Sequence, residues 1–152
     1  MITEAGPRVL EFNGRFGDPE TQPQMIRLES DLVDLLEAAV EGDVLRTEVR
    51  WSAEPSGCVV VASGGYPVHY EKGKIVTGLA DAEGLPGVTV FHAGTKFENG
   101  STVTTGGRVL GVCASAGTLA ETMARIYDAC GKIHFEAMFF RRDIGAIKEE
   151  RT

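Results

Sequence analysis

The sequence is short of basic residues, aromatics and cysteine, and each shortage closes off a class of function. Its 15 Lys and Arg stand against 22 Asp and Glu, a formal charge of −7 over 152 residues. Phosphate attraction needs clustered Lys and Arg, so the acidic balance disfavours a general nucleic-acid binder. The 3 cysteines, Cys58, Cys113 and Cys130, are too few and too scattered for a disulfide framework or a zinc knuckle. They read as reduced, mostly buried thiols of a cytoplasmic protein. No apolar run approaches the roughly 20 residues of a membrane helix, and the first residues lack the charged and apolar regions of a signal peptide. What is present is an ordinary hydrophobic share of 43%, enough for one sizeable core or for a compact domain plus a remnant of another. The 19 glycines fall in turns and loops rather than in a repeat.

The pattern along the chain predicts an α+β fold with a mainly antiparallel sheet and two principal helices. An opening hairpin runs through Glu4-Ala5-Gly6-Pro7 into residues 8–13, which alternate with the period of a strand. So abrupt an opening suggests a piece cut from something longer. Pro23 suits the first turn of a helix carrying Met25, Leu28, Leu32, Leu35, Leu36 and Ala39 at three- and four-residue spacing, stopped by Gly42. Glu29, Asp31, Asp34 and Glu37 lie off that stripe. A connector over 43–56 uses Trp51 as an anchor. Strands are then expected at 58–62, 74–79, 88–93 and 108–114, with a hairpin at Asn99-Gly100. Thr118 and Glu121 form a capping box for a second helix, ended by Gly131. Residues 133–140 read as a last strand or short extended segment and 148–152 as a polar tail.

The densest chemistry lies in the string Glu11-Phe12-Asn13-Gly14-Arg15-Phe16-Gly17-Asp18-Pro19-Glu20-Thr21-Gln22. On a strand, Glu11 and Asn13 would project to one face roughly 6.5–7 Å apart. A carboxylate and an amide oxygen so spaced can converge on a hard cation, and Arg15 just beyond could reach a phosphoryl or carboxylate oxygen with its planar fork. The same residues also make an ordinary water-facing strand that ends in a polar turn. His92 reads as a hydrogen-bonded strand histidine, and His69 and His134 are isolated. Gly64-Gly65 and Gly106-Gly107-Arg108 read either as plain turns or as backbone cradles for an anion.

The twelve-residue string resembles the closing stretch of the ATP-grasp domain of phosphoribosylamine–glycine ligase (glycinamide ribonucleotide synthetase). The resemblance continues through Ala62-Ser63-Gly64-Gly65-Tyr66-Pro67, Phe91-His92-Ala93-Gly94-Thr95 and Gly106-Gly107-Arg108-Val109-Leu110. It ends with Ile133-His134-Phe135-Glu136 and Arg141-Arg142-Asp143-Ile144-Gly145. Val68-His69 departs from the family's pattern, which has a Gly and a small or acidic residue there. The resemblance implies that residues 1–44 end an ATP-grasp domain, with its metal-binding strand, loop and helix, and that 45–152 form the ligase's C-terminal α+β domain. It implies Glu11 and Asn13 as ligands of Mg2+ or Mn2+, with ATP as co-substrate. Arg15 and Asp18 are implied near the chemistry, and Glu20 and Arg108 on the substrates glycine and 5-phosphoribosylamine. The glycine-rich loop and phosphate-holding lysines expected upstream are not in this sequence, so the chain alone is expected to be inert, and uncovered apolar faces at Met25–Ala39 and at Leu10 and Phe12 are expected to make it self-associate. The alternative is a non-catalytic module that packs against separately supplied ATP-grasp domains.

Overall fold

The computed structural model describes residues 1–12 and 14–146. Asn13 and the expected polar tail lie outside them. In chain order the elements are β1 (Ile2–Thr3), β2 (Gly6–Pro7), α1 (Thr21–Met25), α2 (Leu32–Glu41), a 3-10 turn (Val44–Arg46) and β3 (Ser56–Ser63). There follow β4 (Ile75–Val76), α3 (Leu79–Glu83), β5 (Val88–His92), β6 (Thr95–Glu98), β7 (Ser101–Thr104), β8 (Arg108–Ser115), α4 (Leu119–Lys132) and β9 (Met138–Phe139). The α+β class with antiparallel pairing is as the sequence predicts.

The principal sheet has the order β5-β8-β3-β9, and a smaller one the order β4-β7-β6. The long ladder of β8 against β3 opposes Val59 to Val112 and Val61 to Leu110, while β5 sets Val90 against Val112. Alternation therefore gathers these residues on one face. There they cluster with Met123, Ile126, Ala129 and Cys130 of α4 and with Ile133 and Phe135 beyond it. Gly57 leaves room for that helix: a Cβ there would stand 3.1 Å from Ile126 and from Met123. The other face of the sheet meets α1.

Local chemistry sets the ends of the elements. The β6–β7 turn has Asn99 at φ 50° and Gly100 at φ 81°, the doubly left-handed pair that a tight hairpin favours. At α4 the Thr118 hydroxyl accepts from the Glu121 N–H at 3.2 Å, and the Glu121 carboxylate accepts from the Thr118 N–H at 3.1 Å. Thr118→Ala removes one acceptor from the helix that supplies Met123, Ile126, Ala129 and Cys130 to the core. It is expected to cost about 1 kcal/mol, read as a lowered midpoint in urea unfolding.

Four expectations are corrected. Strand pairing of the opening arm stops at Pro7; residues 8–12 are exposed and in no strand. Arg8 still exchanges two bonds with Met1, at 2.9 and 2.8 Å, but the hairpin ends there and a ladder needs a partner. The helix expected from Pro23 to Ala39 is two helices, because residues 27–29 pair instead with the connector: the Ser52 N–H donates to the Arg27 carbonyl and the Glu29 N–H to the Arg50 carbonyl. The backbone of Leu28 bridges that of Trp51 and so ties the connector to this stretch, while the Trp51 side chain is half exposed. Asp31 then restarts the helix by accepting from the Val33 N–H at 2.8 Å. The strand expected at 74–79 is only β4, since Gly78, at φ 77°, turns the chain into the unforeseen α3. A Cβ on Gly78 would fall 1.9 Å from the Lys132 carbonyl oxygen. Finally, α4 runs through Gly131 to Lys132, and of 133–140 only Met138–Phe139 is strand. Among the described residues no helix is long and apolar enough to cross a membrane.

Candidate functional site

The loop before α1 is built around Gly17 and Asp18. The Gly17 carbonyl accepts from the Thr21 N–H at 3.1 Å and from the Thr21 hydroxyl, and the Asp18–Pro19 bond is cis. The Gln22 amide donates to Asp18 Oδ1 at 2.9 Å. Arg108, at the first position of β8, reaches across 90 residues of sequence to the same loop. Its Nη1 donates to the Asp18 carbonyl at 3.0 Å, and its Nη2 lies 3.3 Å from Asp18 Oδ2. Two of the residues singled out from sequence are thus one clasp. Both side chains are more than two-fifths exposed, so the pair contributes at most about 1 kcal/mol to stability, and its significance is positional.

Beside the clasp opens a cleft of about 360 Å3, lined by Pro19, Cys58, Tyr66, Arg108, Arg141 and Ile144. Its wall explains the two glycine blocks. The Ser63 N–H donates to the Gly107 carbonyl at 2.8 Å, and the Ser63 hydroxyl donates to the Gly106 carbonyl at 3.0 Å. The Tyr66 ring lies so close on Gly107 that a Cβ there would stand 2.0 Å from the ring. The two turns are packed against each other at Gly107, while Gly65, at φ 87°, is crowded by the His69 carbonyl and Gly64 by Ala137. Arg141, on the far side, is held by Asp143 through two bonds of 2.9 and 2.8 Å.

The remaining candidates lie apart from that cleft. Arg15 and Glu20 share a separate shallow groove of about 230 Å3 with Phe16, Gly17 and Gln24, and the Arg15 guanidinium donates to the Phe16 carbonyl at 2.9 Å. Glu11 is exposed on the unpaired arm, and its expected companion Asn13 is outside the described residues. Residues 8–12, which carry Glu11, are in no strand. Among the described residues, no group of three or more His, Cys, Asp or Glu is gathered to hold a metal. As donors a carboxylate and an amide oxygen suit a hard cation whose other ligands come from nucleotide and water. His92 sits as expected at the end of a strand, its Nδ1 2.8 Å from the Thr95 hydroxyl.

One cluster has no counterpart in the sequence pattern. Lys74 Nζ lies 2.6 Å from Glu71 and 2.8 Å from Glu136, at a cleft of about 420 Å3 that also takes in Ser63, Gly64, His69 and Tyr70. The ammonium lowers the pKa of Glu71, and the two carboxylates raise that of Lys74, Glu136 most. Glu71 and Lys74 are three apart and legible as a local pair; Glu136 comes from 62 residues away, which no local pattern signals.

Comparison with known proteins gives this geometry its setting. The family described as "Phosphoribosylglycinamide synthetase, C domain" matches residues 56–147. The chain belongs to that family. The matched span of this synthetase C domain begins at β3 and takes in the principal sheet, α4 and the clasp residue Arg108, whereas Asp18 lies before it. The phosphoribosylamine–glycine ligase of Brucella melitensis is 44% identical over all of this chain, and that of Vibrio cholerae 49%. In both cases the chain spans 36% of the relative's length. The crystal structure of phosphoribosylamine–glycine ligase from Thermotoga maritima superposes with a TM-score of 0.68 at 32% identity, over 94% of this chain and 34% of that one.

Proposed function

We propose that the chain acts as the carboxy-terminal part of a cytoplasmic, ATP-dependent ligase of de novo purine biosynthesis, one that joins glycine to 5-phosphoribosylamine and yields glycinamide ribonucleotide, ADP and phosphate. The observation that carries this reading is identity of 44–49% to enzymes of that name along the whole chain, including the stretch before the C domain. Residues 1–44 are then the end of an ATP-grasp domain, and 45–152 the C-terminal domain. The clasp of Asp18 with Arg108 joins the two parts and holds the acidic loop against the mouth of the cleft.

Within that reading each residue has a task. Arg108 spends two donors on Asp18 and keeps others of its guanidinium for a phosphate of the substrate, which Asp18 holds it in position to meet. Arg15 and Glu20, sharing one groove, would face the amino acid and its activated carboxyl group, Glu20 toward the amine and Arg15 toward the anion. Glu11 and Asn13 would hold Mg2+ or Mn2+, which when bound neutralises charge on the nucleotide phosphates. The exposed Val9, Leu10 and Phe12 on the arm, and Val33, Leu36 and Val40 on α2, are the apolar surface offered to the ATP-grasp domains. Phosphoryl transfer depends on positioning the nucleotide, and the sequence holds no nucleotide clamp, so the chain by itself is inert.

The test is reconstitution. The chain alone, given ATP, glycine and phosphoribosylamine, is expected to make no product. Adding the amino-terminal two thirds of a related ligase is expected to restore ATP-dependent glycinamide ribonucleotide synthesis. Ordinary turnover by the chain alone would overturn the inertness. A complex that assembles stably yet stays inactive would favour the second reading, a packing module, for which the self-contained core of β3, β8 and α4 is the supporting observation.

A further inference from the structure

The face of the principal sheet turned away from α4 carries two thiols side by side. Cys58 on β3 and Cys113 on β8 are direct partners in the antiparallel register. Directly opposed residues have Cα atoms about 4.5–5.5 Å apart, inside the range a disulfide spans, and Cβ atoms about 4.5–5.5 Å apart, up to ~1 Å beyond what the bond prefers. Their direct opposition in the ladder sets the two side chains beside each other on one face. Gly111, diagonal to Cys58, keeps the space open: a Cβ there would lie 3.3 Å from the Cys58 sulfur. The two are not equally accessible. Cys58 is partly exposed and lines the cleft beside the Asp18–Arg108 clasp, whereas Cys113 is fully buried. The third thiol, Cys130, is buried in the core beneath α4, on the opposite side of the sheet.

We propose that Cys58 and Cys113 form a peroxide-reactive dithiol, with Cys58 the thiol that attacks peroxide at the cleft and Cys113 the resolving thiol beneath it. The division of labour follows from the contact. A hydrogen bond from Cys113 lowers the pKa of Cys58 against the opposing effects of burial and of the Asp18 charge, while that same interaction and burial push Cys113 up. The thiolate is the nucleophile, so Cys58 reacts first. Its sulfur attacks one oxygen of hydrogen peroxide, the O–O bond breaks, and Cys58 sulfenic acid forms with release of hydroxide, which takes up a proton to become water. The Cys113 sulfur then attacks the sulfenic sulfur, the S–O bond breaks, and the leaving hydroxide takes the Cys113 proton as a second water. Two thiols are oxidised to one disulfide, and one peroxide is reduced to two waters. Thiol–disulfide exchange with a dithiol returns the pair to its reduced form. Cys130 takes no part; burial first of all pushes its thiol up to about 12, and no sulfur opposes it in the ladder.

The experiment treats the full 152-residue chain with hydrogen peroxide, alkylates the remaining thiols and maps the peptides by mass spectrometry. The expected result is loss of two alkylatable thiols, a linked Cys58–Cys113 peptide lighter by two hydrogens, recovery with dithiothreitol, and Cys130 alkylated only after unfolding. In Cys113→Ala, Cys58 is expected to stop at the sulfenic acid and to be captured by dimedone. Peroxide treatment that leaves all thiols free, links Cys130, or joins two chains in place of the Cys58–Cys113 bond would overturn the proposal. Should the alanine variant fold poorly, peptide mapping of the unsubstituted chain alone distinguishes these outcomes.

Discussion

Glu11→Ala in the reconstituted ligase is expected to lower turnover on the order of 10²-fold or more, the scale on which displacing a reacting group by ~1 Å slows an enzyme. The same substitution should leave the fold untouched. Glu11 is exposed and lies outside any helix or strand, so its loss opens no cavity and strands no buried partner. Urea midpoints of Glu11→Ala and the parent chain are therefore expected to coincide within about 0.5 kcal/mol. Glu11→Gln separates charge from shape: Gln keeps an oxygen donor but loses the negative charge that draws the cation, so turnover should fall, with partial recovery at raised Mg2+. Full activity in Glu11→Ala would remove the role assigned to this residue while leaving the family assignment standing.

The opposite pattern is expected at Phe135. It is 1% exposed, the largest of the fully buried side chains, and belongs to the cluster under α4. Phe135→Ala is expected to cost about 3–5 kcal/mol, removed contact plus the cavity left behind. Single domains are stable by only about 5–15 kcal/mol, so a shift of that size moves the urea midpoint drastically or unfolds the chain outright. Phe12→Ala supplies the contrast. The same ring, 92% exposed, is expected to change stability by no more than about 0.5 kcal/mol. Equal effects at the two positions would mean that the ring of Phe135 is not part of the core.

What is legible in the sequence follows from how local each signal is. The apolar run at 58–62, the Asn99-Gly100 hairpin and the Thr118/Glu121 box are decided by neighbours a few residues apart, and all three form as expected. The first helix departs from its period because Leu28 belongs to two patterns: it continues an apolar stripe, but its backbone pairs with Trp51, and a partner 23 residues on is not visible in a helical period. Asp31 has the chemistry of a cap, yet its place off the stripe makes it look like one more water-facing residue. The opening arm fails for a related reason, since alternation marks a strand only where another edge is present. For the site, the string at 11–22 contains the loop around Asp18, yet that Asp18 meets Arg108 rather than Glu20 or Arg15 depends on the tertiary approach of α1 to the sheet. The thiol pair is hidden in the same way. Cys58 and Cys113 look scattered along the chain and become neighbours only in the register of two strands.

The strand order β5-β8-β3-β9 also sets a timetable for synthesis. Neither β3 nor β5 touches the other, and each pairs with β8. As the chain leaves the ribosome both must wait with open edges until residues 108–115 emerge and slide between them. The smaller sheet and its hairpin can close meanwhile, but the principal sheet is assembled from its middle, and last. Such non-local closure is slow, and a nascent chain halted before Arg108 would present two unmatched β edges to whatever is nearby.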